Sequence, residues 1–184
     1  MRQTGHHFVY GTLRDYLTGE ELPDTDDERF RQTLAKLLVE ERGFAKEELE
    51  PRLTIETLFG TAFVRSVIDL TVSVGSHRLF VLRYGPGSLV TREKPALAAA
   101  RLIDATCSLP LAIVTNGQDA ELLETGSGKV LASGMTAIPD RAQAAELLKE
   151  YPPRPPLTGA ERERNLRVLN VFDLEVCCRK ERCW

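Results

Sequence analysis

Between Phe63 and Tyr84 the chain carries a pattern that leaves little freedom of fold. Ile68, Leu70, Val72 and Val74 alternate with Asp69, Thr71 and Ser73, Gly75-Ser76-His77 interrupts, and Leu79 to Tyr84 returns as a mostly apolar run. Apolar residues at period two line one face of a strand, so the segment predicts a long β-hairpin. A second signal fixes its surroundings. Leu109 to Thr115 is continuously apolar and of buried-strand length, which needs cover on both faces. Between the two lies an alanine-rich segment, predicted as a helix opened by Pro95 and running to about Ala105. A hairpin, a helix and a buried strand in that order predict an α/β or α+β domain with a mixed sheet flanked by helices.

The remaining elements fit that frame. Thr25 is an N-cap with Glu28 three residues on, a capping-box spacing, and Phe30, Leu34, Leu37 and Leu38 form one stripe before Gly43. Leu53, Ile55 and Thr57 predict a short strand, and Glu121–Glu124 with Val130–Ser133 a small hairpin about Gly126-Ser127-Gly128. Pro139 to Glu150 reads as a helix. Residues 1–24 are expected to be an irregular or partly helical lead-in, and 25–150 the domain. Residues 151–184 are expected to be an appendage: a stiff linker (Pro152-Pro153-Arg154-Pro155-Pro156), a helix from about Thr158 to Asn170, and a tail.

Composition narrows the function classes. Hydrophobic residues are 42% and charged residues 28%, the balance of a soluble globular chain, and no apolar run is long enough for a membrane helix. The N-terminus lacks the apolar core of a secretory signal, so a cytoplasmic setting is expected, where cysteines favour thiols or metal over disulfides. The net charge of −3 hides an asymmetry. From Asp15 to Glu56 there are 13 acids against 6 bases, whereas from Ser76 to Ile103 Arg78, Arg83, Arg92, Lys94 and Arg101 face Glu93 alone. Those five bases are candidate phosphate contacts, with ordinary solvated charge as the competing reading.

Asp69 is the candidate chemical centre. A mid-strand carboxylate among apolar neighbours costs free energy unless a cation, a metal ion or hydrogen bonds compensate it. If Gly75-Ser76-His77 is a three-residue loop, Val74 pairs with Arg78 and facing residues sum to 152. Asp69 then stands opposite Arg83 on a shared face, and an ion pair between them is expected over a metal site.

Glu28-Arg29-Phe30-Arg31-Gln32 on the first helix, Gly43-Phe44, Ile68-Asp69-Leu70, the apolar strand, the alanine-rich helix and Val114-Thr115-Asn116-Gly117 follow one another in a telling order. Over residues 20 to 135 this resembles the N-terminal nuclease-like domain of type I restriction enzyme R subunits, in the PD-(D/E)XK endonuclease superfamily. The resemblance implies a restriction-endonuclease-like three-layer core, with a magnesium ion shared by an Asp and a Glu on consecutive strands and a Lys two residues beyond the Glu. Asp69 matches the aspartate and Glu28 the helix glutamate that often completes such a site. Where Glu-x-Lys should stand the chain reads Val81-Leu82-Arg83-Tyr84-Gly85. The expectation is therefore a degenerate site, with Asp69 and Glu28 vestigial and Arg83 at or near the lost motif, kept as a nucleic-acid-binding or interaction module. DNA is the expected partner, with a protein partner or a second copy as further candidates. The alternatives are an active magnesium-dependent endonuclease, recruiting for example Glu56, and a metal- or redox-responsive protein.

The last alternative rests on the cysteines. Cys177, Cys178 and Cys183 crowd the tail and Cys107 precedes the buried strand. Together they could hold an iron–sulfur cluster or zinc, against incidental thiols as the plainer reading. His6, His7 and His77 lack partners at ligand spacing and read as surface residues.

Overall fold

The computed structural model describes residues 8–60 and 62–176. Its centre is a six-stranded mixed sheet in the order β3 (Leu49–Phe59), β4 (Ala62–Val74), β5 (His77–Tyr84), β6 (Leu111–Thr115), β7 (Ala120–Glu124) and β8 (Val130–Ser133). Neighbours are antiparallel except β5 and β6, which run parallel because α2 (Val90–Leu102) crosses over between them. On one face, α1 (Asp26–Lys36) and α3 (Arg141–Glu150) cover a core that includes Leu34, Leu38, Phe80, Leu82, Ile113 and Ala144. On the other, α2 and α4 (Gly159–Val176) cover Val81, Ala112, Val114 and Leu123. The expected α/β class and flanked mixed sheet are thus present.

Three local expectations change. The described residues before α1 include a two-stranded hairpin of β1 (Thr12–Arg14) and β2 (Glu21–Pro23), in place of an irregular or partly helical lead-in. Its turn is held by Asp15, whose Oδ1 accepts from the backbone N–H of Leu17 and Thr18 at 2.8 Å each. The strand expected over Leu53–Thr57 spans Leu49–Phe59, because β4 supplies a partner along its length. Helix α2 starts five residues before Pro95, which therefore lies inside it.

Helix α1 begins as its cap predicts, with Thr25 Oγ1 accepting from Glu28 N–H at 3.2 Å. The reciprocal half of a capping box is not made, since the Glu28 carboxylate turns inward to side chains described below. The helix then widens into a π turn over Leu37–Glu41, and Gly43 leaves it at φ 75°.

The central hairpin turns on two residues. Val74 pairs with His77, and a bulge between Val72 and Ser73 restores the sum of 152 at Val72–Phe80, Thr71–Val81 and Leu70–Leu82. Strict alternation then fails. Leu70 lies in the α1/α3 core, but Ile68, two residues away, lies in the α2/α4 core. The same switch occurs on β3 between Leu49 and Ile55, and between them Arg52 adopts a left-handed φ of 58°. At that level the two strands exchange faces.

Helix α4, in the segment expected to be an appendage, packs against α2, β3 and β4. Leu169 is fully buried in the second core, and Asn170 Oδ1 accepts from Thr57 Oγ1 at 2.7 Å. The linker before it is stitched to the domain by a β-bridge between Ser108 and Arg154.

Candidate functional site

The face exchange puts Asp69 beside α1. Its Oδ1 accepts from Arg31 Nη2 at 2.8 Å and its Oδ2 from the backbone N–H of Tyr84 at 2.9 Å. Arg31 also donates through Nη1 to Glu28 Oε2, so one guanidinium joins the two carboxylates. The other Glu28 oxygen accepts from Gln32 Nε2 at 2.8 Å and from Arg52 Nη1 at 3.2 Å. Arg52 Nη1 reaches onward to Asp15 Oδ2 at 2.5 Å. Three buried carboxylates are thus interleaved with two guanidiniums. Burial pushes the Asp15 carboxyl up, but hydrogen bonds from Thr18, Arg52 and Leu17 outweigh it and hold the pKa below the ordinary aspartate value.

The expected Asp69–Arg83 ion pair does not form. Arg83 belongs to the opposite face and pairs instead with α4, Nη2 donating to Asp173 Oδ1 at 3.0 Å. The Phe172 ring lies 5.7 Å from the Arg83 guanidinium carbon and 5.6 Å from that of Arg92. Between these groups opens a cleft of about 330 Å³, lined by Arg31, Arg65, Arg83, Arg92, Asp69 and Asp173 among others. It concentrates unmet hydrogen-bonding capacity: Arg31 Nε, Arg83 Nη1, Arg92 Nε and Asp173 Oδ2 are buried without a partner. Burial, and then the neighbouring Arg83 charge, lower the Arg92 pKa against the opposing influence of Tyr84, Asp69 and Asp27.

Arg92 is placed by backbone. Its Nη2 donates to Pro86 O at 2.9 Å, and its guanidinium lies against Gly85, where a Cβ would fall 1.9 Å from Nη1. Nearby, Tyr84 stacks on Phe30 with centroids 4.1 Å apart, tying the end of β5 to α1. Phe30 is accordingly part of this contact and is partly exposed, not a core residue of the α1 stripe.

The five bases read as one band are dispersed. Arg83 and Arg92 share the cleft. Arg78 is committed to Glu50 at 2.7 Å and Asp104 at 2.8 Å. Arg101 is a structural clamp, with Nε donating to Thr125 O at 3.0 Å and Nη1 to Asn165 Oδ1 at 3.2 Å. Lys94 lines a separate depression with Arg101 and Arg164. Glu56 is exposed and faces Arg65 at 3.5 Å, apart from Asp69 and Glu28 in its bonding. Asn116 has a turn-forming role: its Oδ1 accepts from Gln118 and Asp119 N–H and its Nδ2 donates to Gly87 O.

Cys107 is a free, half-buried thiol whose pKa burial pushes up. Cys177, Cys178 and Cys183, with His6 and His7, lie outside the described residues, while His77 is exposed and near Ser76 Oγ. Among the described residues no group of three or more His, Cys, Asp or Glu side chains could hold a metal ion, and no helix is long and apolar enough to cross a membrane.

Arg31, Arg52, Asp15 and Asp173 are the site residues that sequence reasoning missed. The first carried a signal, since Glu28, Arg31 and Gln32 have the i, i+3 and i+4 spacings of one helix face. Compared with known proteins, residues 26–139 match the family model described as the type I restriction enzyme R protein N terminus. No curated protein and no solved structure matches the chain.

Proposed function

The chain belongs to the family of the type I restriction enzyme R protein N terminus, and on that premise we propose that it is a restriction-endonuclease-like domain with a degenerate cleavage site, retained to hold nucleic acid. The observation that carries this reading is the Arg31 guanidinium bonded between Asp69 and Glu28. A shared magnesium ion needs free carboxylate oxygens converging on one point. Here both oxygens of Asp69 already accept, one of them from a cation, and Arg83 stands near where the second strand should supply a carboxylate. That donor set does not fit a dication, because fixed positive charge beside the site repels one.

The cleft supports the second half of the reading. Four arginines line it, and three of them hold buried N–H groups without partners, which suits the oxygen-rich backbone of a nucleic acid. Plasmid nicking tests the first half: with magnesium or manganese, the wild type and Asp69→Ala should leave supercoiled DNA equally intact. Nicking by the wild type that Asp69→Ala abolishes would overturn the degenerate-site reading. Anisotropy of a labelled duplex tests the second half. Binding should weaken with salt and with Arg83→Ala, and no measurable binding at low salt would refute it.

A further inference from the structure

We propose that α4 is a displaceable cover for the cleft, with the Asp173 carboxylate standing on Arg83 where a backbone phosphate docks. This rests on the nucleic-acid reading above and concerns how that same site is controlled. The first support is the mismatch in the Arg83–Asp173 contact. It is a single hydrogen bond of 3.0 Å, although a guanidinium and a carboxylate can make two in parallel. Arg83 Nη1 and Asp173 Oδ2 are both left buried and unpartnered, as is Arg92 Nε across the cleft. A phosphodiester, with two free oxygens in place of one engaged carboxylate oxygen, can accept from Arg83 and Arg92 together.

The second support is how lightly α4 is held. From Gly159 to Asp173 the buried residues are Leu169 and Asn170, with Leu166 packed part-buried beside them. Val168 and Val171 point outward, 39% and 44% exposed. Among its described residues the helix thus trades the Leu169 anchor with Leu166 beside it, the Thr57–Asn170 and Arg101–Asn165 hydrogen bonds and the Arg83–Asp173 ion pair against the arriving ligand. Segments with few buried apolar contacts are those that open at low free-energy cost.

The third support is position. Phe172 and Asp173 are adjacent on the helix and both line the cleft, the ring over the two guanidiniums and the carboxylate on one of them. A ligand that reaches Arg83 meets α4 directly.

The test uses the full chain and a labelled duplex oligonucleotide as probe, with wild type, Asp173→Asn and Arg83→Ala compared by anisotropy. Hydrogen exchange of the α4 amides is followed in the wild type with and without duplex. Asp173→Asn should bind roughly 5- to 20-fold more tightly, by removing the tethered competitor's charge, and duplex should speed exchange in α4. If the wild type binds and Arg83→Ala weakens it, but Asp173→Asn binds no more tightly, the cover is wrong and the nucleic-acid reading survives. Unchanged α4 exchange on saturation with duplex also overturns the cover. If the wild type does not bind at low salt, both readings fall.

Discussion

Arg52 and Asp69 occupy the same level of the β3–β4 pair, flanked by the pairs Pro51–Leu70 and Leu53–Ile68, and there both strands change faces. Arg52 does so in a left-handed conformation, alone among the described non-glycine residues. The switch costs backbone strain, which charge offsets: Arg52 bonds Asp15 and Glu28, and Asp69 turns away from Arg83 to meet Arg31. A loop-and-strand reading of the pattern therefore places Asp69 on the wrong side.

Arg31→Met should be severely destabilising. It leaves Glu28 and Asp69 buried with their shared cation gone, and breaking a buried pair in this way costs about 3–5 kcal/mol. Urea unfolding at neutral pH measures it. A loss below about 1 kcal/mol would show that the bridge contributes little.

Asp15 should make stability depend on acid. Its folded pKa is depressed, so its contribution is present above the unfolded value of about 3.9 and disappears as pH falls through the lower folded value. Asp15→Asn keeps an oxygen for the Leu17 and Thr18 N–H groups but loses the charge facing Arg52. The variant should be less stable than wild type at pH 7, with the gap closing below pH 4. A gap that is constant with pH would contradict the assignment.

Gly85→Ala should separate binding from folding. Gly85 has no positive φ, and the clash is with the movable tip of Arg92, so melting should shift little while duplex affinity falls several-fold. A large drop in melting temperature with unaltered binding would be the opposite result. Gly117→Ala differs: at φ 85° and 3.2 Å from Phe30, it should cost roughly 1–2 kcal/mol through backbone strain.

Arg83→Ala and Arg78→Ala should divide the bases that the sequence grouped together. Removing a phosphate contact lowers the salt slope of binding by about 1, and Arg83 should show that change. Arg78 serves Glu50 and Asp104, so its loss should lower stability and leave the slope intact. Titrations at several salt concentrations distinguish them.

Local signals carried much of the fold. The Thr25 cap, the buried strand ending at Thr115 and the small hairpin from Ala120 to Ser133 depend on neighbours in sequence and stand as read. The summed register of the central hairpin also holds at Leu70–Leu82, although by a two-residue turn and a bulge in place of a longer loop. The site was less legible because its bonds span distance: Arg31 to Asp69 is 38 residues, and Arg83 to Asp173 is 90. Patterns of period two cannot announce a face switch that one backbone conformation at Arg52 produces. Nor does a surface count of arginines distinguish Arg101, which clamps a carbonyl, from Arg92, which faces an open cleft.

The stitched linker has a kinetic meaning for the helix that follows it. Ser108 pairs with Arg154 and its hydroxyl donates to Pro155 O at 3.3 Å, which anchors the chain four residues before α4 begins. A segment released from so near a fixed point stays close to its seat, at an effective concentration that the tether sets, on the order of millimolar for short links. Asp173 would then compete with any visiting phosphate equally in dilute and concentrated protein. If α4 covers Arg83 as proposed, the threshold for occupying that guanidinium is set by the chain and not by its abundance.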